Sequence, residues 1–265
     1  MRIIDTHIHF GNQKSCENIV QNSLYRNVYK LYNSVNVTAL SSFDDYVKNL
    51  DSFIVMPMVF KETDINEANN DIINYFNDNL RAVPVLLVPD DKDFDNNFRI
   101  MKYNILKEHF LVHDYNDYKD RSLGYQYLSD NQGFLILHPL STISKQYIET
   151  LRSEYPNMNI IVAHLGRNGQ CDEQFTKDMI DFGSKDDRIY TDISTISNKD
   201  LIKYAVDRYG EDKIFFGSDY PYFSNDIPPV EEQALILQNI DLSNEQRDKI
   251  LYSNAKKMIK KLRIR

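Results

Sequence analysis

About eight times along this chain an apolar run of strand length gives way to a stretch with helical spacing. The runs are 3–9, 53–58, 82–88, 104–110, 134–138, 159–164, 188–193 and 213–219. Most are apolar over their whole length, as strands covered by helices on both faces must be. Apolar residues recur three and four apart in the intervening stretches, predicting helices over 17–32, 43–50, 65–80, 94–101, 125–130, 144–155, 173–182, 200–209 and 229–240. A last helix opens at Ser243, with Gln246 three residues on as a capping box. Parallel βαβ units follow from this alternation, and eight of them predict a closed (β/α)8 TIM barrel rather than an open doubly wound sheet. The length of 265 residues agrees with the ~250 typical of that fold. No repeat, low-complexity segment or linker interrupts it, so residues 1–265 read as one domain. The misfit is Pro84, which cannot donate to a strand ladder.

Composition excludes several classes of function. At 42% hydrophobic and 26% charged residues the chain can build a core and is not globally disordered. A net charge of -8 argues against nucleic acid and against an anionic membrane surface as partners. No apolar run approaches the ~20 residues of a membrane helix. No signal peptide is visible, since one Arg precedes two Ile and polar Asp5 and His7 follow at once. A soluble cytoplasmic protein is the expectation. Cys16 and Cys171 lack metal-type spacing and read as free thiols of a reducing compartment.

Polar chemistry gathers at one structural place. Alternation along 3–9 puts Asp5, His7 and His9 on one face and Ile4, Thr6 and Ile8 on the other. Two imidazoles one pleat apart can bind one divalent metal, or they can be solvated on an edge strand. His138 ends the fifth predicted strand, His164 the sixth and Asp219 the eighth, so four of the six histidines sit at strand C-termini. In a (β/α)8 barrel that face holds the active site. Imidazole with carboxylate suits Zn, Mn, Fe or Co at an open site, where a bound metal brings the pKa of water to about 7 and polarises a carbonyl.

Asp5-Thr6-His7-Ile8-His9, His138-Pro139, Ala163-His164-Leu165-Gly166-Arg167 and Gly217-Ser218-Asp219-Tyr220-Pro221 together resemble the amidohydrolase superfamily. Tyr190-Thr191-Asp192-Ile193-Ser194 and Ser253-Asn254-Ala255 narrow the resemblance to its amidohydrolase-related branch, with decarboxylases of the carboxymuconate-semialdehyde type and small lactone hydrolases. The resemblance covers nearly the whole chain. It implies one divalent metal, Zn before Mn, Fe or Co, held by His7, His9, His138 and Asp219. It makes His164 the acid/base or carbonyl-polarising residue, and gives Asp219 the proton of the activated water.

Other positions carry alternatives. Lys107 lies where related subtypes carry a carbamylated lysine bridging two metals, and reads otherwise as a contact to a substrate anion. Glu108 is a carboxylate that alternation points outward. His109 shares the inward face with Lys107 and reads as a substrate contact. Arg167 suits a substrate carboxylate or a surface salt bridge. Ser194 and Tyr220 are pocket candidates, and His113 a loop residue. The acidic, tyrosine-rich stretch 111–123 is placed to act as a lid.

The expected function is metal-dependent hydrolysis of a small lactone, ester or amide. The alternative is non-oxidative decarboxylation of an unsaturated or aromatic acid on the same site, a choice the fold does not make. A TatD-like nuclease would carry a metal-binding glutamate motif around 105–110, and a histidinol-phosphatase-type enzyme further His and Asp pairs over 10–17; neither is present. A barrel kept only for binding would have lost a ligand, and every expected one is there. Such barrels commonly form homodimers, though no residue here specifies one.

Overall fold

The computed structural model describes residues 1–11, 43–61, 63–98, 100–138, 143–168, 172–221 and 227–262. The helix expected over 17–32, both cysteines and Pro139 lie outside the described residues.

The strands, in chain order, are β1 (Ile4–Phe10), β2 (Ser52–Pro57), β3 (Ala82–Pro84), β4 (Leu86–Leu87), β5 (Ile105–His109), β6 (Phe134–His138), β7 (Asn159–Val162), β8 (Ile189–Asp192) and β9 (Ile214–Phe215). Every pairing is parallel, β1 to β3 in one sheet and β4 to β9 in another.

Two seams join the sheets. At the first, the Val85 N–H donates to Val55 O at 2.8 Å and the Val88 N–H to Lys107 O at 2.9 Å, so 82–88 is one stave shared by β2 and β5. Pro84 fits because Val85 supplies the donor toward β2 and pairing with β5 begins only at Leu86. At the second seam, the Thr6 N–H donates to Phe216 O at 2.9 Å and the His9 N–H to Tyr220 O at 2.7 Å. The barrel expected from the alternation is therefore closed by hydrogen bonds, with 214–220 as its last stave.

Helices α1 (Phe43–Val47), α2 (Ile65–Phe76), α3 (Phe94–Phe98), α4 (Ser122–Asp130), α5 (Ile143–Glu154), α6 (Glu173–Gly183), α7 (Lys199–Tyr209), α8 (Pro229–Gln238), α9 (Asn244–Asp248) and α10 (Asn254–Leu262) alternate with the strands. Their starts are written locally. Asp64, Asp172 and Asn198 accept from first-turn N–H groups, which leaves fewer orphan donors at those ends. The capping box at Ser243 and Gln246 is present in both directions. A π turn at Lys249–Ser253 joins α9 to α10. Among the described residues no helix is long and apolar enough to cross a membrane.

The stretch 111–123 is packed rather than free, which corrects its reading as a lid. Tyr115–Arg121 forms 3-10 turns with Tyr115 and Arg121 buried. Tyr115 Oη donates to His138 O at 2.5 Å. His113, expected as a loop residue, is buried and ties two staves together: it accepts from the His109 N–H at 2.9 Å through Nδ1 and meets Val88 O at 2.9 Å through Nε2.

Candidate metal centre

β1 supplies the first two imidazoles, but not with the alternation its sequence implies. Asp5 pairs with Phe53 and Ile8 with Val55, so an extra residue is bulged out between them. Asp5 is thereby separated from the histidines. Its carboxylate accepts from the His7 N–H at 3.1 Å, the Ser218 N–H at 3.1 Å and Tyr46 Oη at 3.2 Å. It clamps β1 to the segment bearing Asp219, and burial pushes it up to about 6.

His7 and His9 are held from behind. His7 Nδ1 lies 2.9 Å from Asp192 Oδ2, and His9 Nδ1 lies 2.9 Å from Pro57 O. A carboxylate and a carbonyl only accept, so these partners assign the proton to Nδ1 and leave the lone pair on Nε2. The His7 and His9 Nε2 atoms stand 3.5 Å and 3.3 Å from Asp219 Oδ1. The three donor atoms lie within 4.8 Å of one another, all buried. Asp219 reaches them from a left-handed backbone (φ 62°), a conformation rare outside glycine. Gly217 lets this stave come close, since a Cβ there would stand 2.8 Å from the Cβ of His7.

His164 was expected at the end of a strand. It lies instead beyond β7, in a turn where His164, Leu165 and Gly166 all have positive φ. Its Nδ1 is 2.8 Å from Ser194 Oγ, and its buried Nε2 has no hydrogen-bond partner. His138 Nδ1 is likewise buried and unpartnered. The His138 ring stands 4.5 Å from His109 and 4.8 Å from His164, outside the three-donor group. Lys107 is fully buried with Nζ 3.1 Å from His7 Nε2, and burial brings its ammonium down to about 8.

Burial also brings the His9 imidazole down to about 4 and that of His164 to about 3, so both are neutral at pH 7 with a lone pair to give. Burial would raise the Asp219 carboxyl, but the imidazoles of His164, His9 and His7 outweigh it and hold it below the usual carboxylate range. Two inward Nε2 atoms, a carboxylate and unpartnered imidazole nitrogens nearby are a donor set that fits a divalent cation.

Two of the expected substrate contacts, Ser194 and Tyr220, are packed against other side chains. Ser194 is fully buried behind His164, its hydroxyl donated to Asp192. The Tyr220 ring stacks on Tyr46 at 3.9 Å and meets Phe43 edge-on, among packing aromatics. Arg167 is half-buried, 3.5 Å from Thr195 O. His109 keeps the inward place expected of it, beside His138. Sequence reasoning missed Asp192, although it stands in a quoted motif at the end of β8, where a carboxylate faces the barrel's polar mouth.

A model of the amidohydrolase family matches residues 4–261. The chain is a member of the amidohydrolase family. Among solved structures this amidohydrolase is similar to the 5-carboxyvanillate decarboxylase of Novosphingobium aromaticivorans, complexed with manganese and a nitrobenzoic acid, at 14% identity and TM-score 0.66, covering 98% of this chain and 96% of the other. It is similar to the 2,6-dihydroxybenzoate decarboxylase of Rhizobium at 14% identity and TM-score 0.62, covering 98% and 99%. It is also similar to a protein of Pseudomonas putida assigned as a 2-pyrone-4,6-dicarboxylic acid hydrolase, at 12% identity and TM-score 0.67, covering 98% of both chains. At these identities the likeness is one of fold. No curated protein matches the sequence. Family and the His7, His9 and Asp219 group together support a divalent metal in this amidohydrolase.

Proposed function

We propose that this amidohydrolase hydrolyses a small lactone, ester or amide with one divalent cation, Zn before Mn, Fe or Co. The observation that supports this is the convergence of His7 Nε2, His9 Nε2 and Asp219 Oδ1, with both Nδ1 atoms committed elsewhere. His138, whose buried Nδ1 has no hydrogen-bond partner, would be the fourth proposed ligand. A cation held there would acidify a water and polarise the substrate carbonyl.

The residues divide the remaining work. Asp219, buried and ionised beside the imidazoles, accepts the proton of the attacking water and returns it to the leaving oxygen or nitrogen. His164 offers its unpartnered Nε2 as a second acceptor over the same space. Lys107 and His109, on the inward face of β5, contact an anionic group of the substrate, and Arg167 approaches from the rim. Asp219, held ionised, and His164, held neutral, are both proton acceptors at pH 7, which supports proton removal from water and so the hydrolase reading.

The test is a product assay on Zn- and Mn-loaded protein against lactones, aryl esters, amides and aromatic carboxylic acids. The expected result is one new carboxyl group per turnover and no carbon dioxide. Carbon dioxide release without hydrolysis would overturn the hydrolase reading in favour of the decarboxylase.

A further inference from the structure

Asp192, at the end of β8, gathers four hydrogen bonds around this site. Its Oδ2 meets His7 Nδ1 at 2.9 Å. Its Oδ1 accepts from the His164 N–H at 3.0 Å, from the Ser194 N–H at 3.0 Å and from the Ser194 hydroxyl. It is buried, and its two oxygens therefore serve two different tasks. One fixes the ring of His7 and keeps the proton on Nδ1. The other holds the turn that carries His164 and the Ser194 hydroxyl against which the His164 ring rests, 2.8 Å from Nδ1.

We infer that Asp192 is a positioning residue that sets both the ligand tautomer of His7 and the orientation of His164. The inference rests on the metal reading above. The chemistry follows from the donor inventory. In an Asn at this position, one end accepts and the other donates. Two backbone N–H groups require the accepting end where Oδ1 now stands, so the NH2 would face His7 Nδ1. His7 would then carry its proton on Nε2, the atom aimed at Asp219, and could not ligate through it. Partners behind a ligating imidazole commonly act this way.

Ser194 separates the two tasks. Ser194→Ala leaves Asp192 Oδ2 facing His7, and removes a hydroxyl that lies 2.8 Å from His164 Nδ1, donates to Asp192 Oδ1 and stands 3.4 Å from His7 Nδ1. The two variants therefore divide: Asp192→Asn strikes the ligand, Ser194→Ala the acceptor.

The experiment is Zn(II) and Co(II) titration of wild type, Asp192→Asn and Ser194→Ala, with the Co(II) visible spectrum and the melting temperature of the metal-free proteins recorded alongside. Asp192→Asn is expected to weaken metal binding about 10–100-fold and to change the Co(II) spectrum. Ser194→Ala is expected to keep wild-type affinity and spectrum while lowering kcat. Wild-type affinity in an Asp192→Asn protein would overturn the inference and leave the metal reading intact. A wild-type protein that binds neither ion would overturn the metal reading itself. If Asp192→Asn melts far below wild type without metal, Asp192→Glu decides: a carboxylate restored to His7 should recover the Co(II) spectrum, and failure to do so would also overturn the inference.

Discussion

Replacing Asp219 by Asn lowers turnover by about a thousand-fold or more and leaves the fold in place, because a general base at the reacting centre contributes about 100- to 10,000-fold and this one is also a proposed ligand. Asn has nearly the same shape. The bond that sets the left-handed backbone at this position runs from the Asp219 N–H to His7 O at 2.8 Å and does not involve the side chain. What is lost is the charge 3.3 Å from His9 Nε2 and 3.5 Å from His7 Nε2. The check is kcat on the best substrate found, with circular dichroism and melting temperature beside it. Activity within tenfold of wild type would remove Asp219 from the mechanism.

The largest stability effect is expected one residue from the site, on the other face of β5. Glu108 is fully buried. Its Oε1 accepts from Arg121 at 3.1 Å and from Tyr125 at 2.7 Å, while Tyr147 reaches both oxygens at 2.9 and 2.8 Å. The arrangement binds β5 to α4, to α5 and to the packed 115–121 turns. Arg121 is itself buried, so Glu108→Ala leaves a guanidinium without its carboxylate in the core. Breaking such a pair from one side costs about 3–5 kcal/mol. Urea unfolding of Glu108→Ala should show that loss. Replacing both partners by apolar residues, as in Glu108→Leu with Arg121→Met, should recover most of it, since buried pairs exchange well for packed hydrocarbon. A loss below about 1 kcal/mol in the single variant would mean that water relieves the abandoned charge.

Much of this was legible in the residues. Continuous apolar runs and helical spacing do not depend on distant partners, so the staves and the capping box at Ser243 could be read directly. His7, His9 and Asp219 were legible because a barrel admits such residues to its interior only for a purpose. The outward direction of Glu108 followed from alternation alone.

What was hidden depends on contacts far apart in sequence or on departures from regular geometry. Asp5 shares its parity with His7 and His9, but a bulge separates it, and nothing local announces a bulge without glycine or proline. His164 and Asp219 lie past the hydrogen-bonded ends of their strands, on positive-φ turns that are uncommon outside glycine and that a strand pattern does not show. Asp192 finds its partners 185 and 28 residues away. Tyr220 and Ser194 have side chains suited to a pocket, and only the neighbouring Tyr46 and His164 show that they pack and brace instead. The stretch 111–123 looked like a lid because acid and tyrosine are common in exposed loops. Its tyrosines instead bond the His138 carbonyl and Glu154.

The most direct test of the central claim is metal content per chain after loading with Zn(II) or Mn(II) and exhaustive dialysis, compared between wild type and His7→Ala/His9→Ala. About one ion per chain in the wild type and none in the variant is the predicted result for a single site of this donor type. No retained ion in the wild type, or equal retention in the variant, would contradict it.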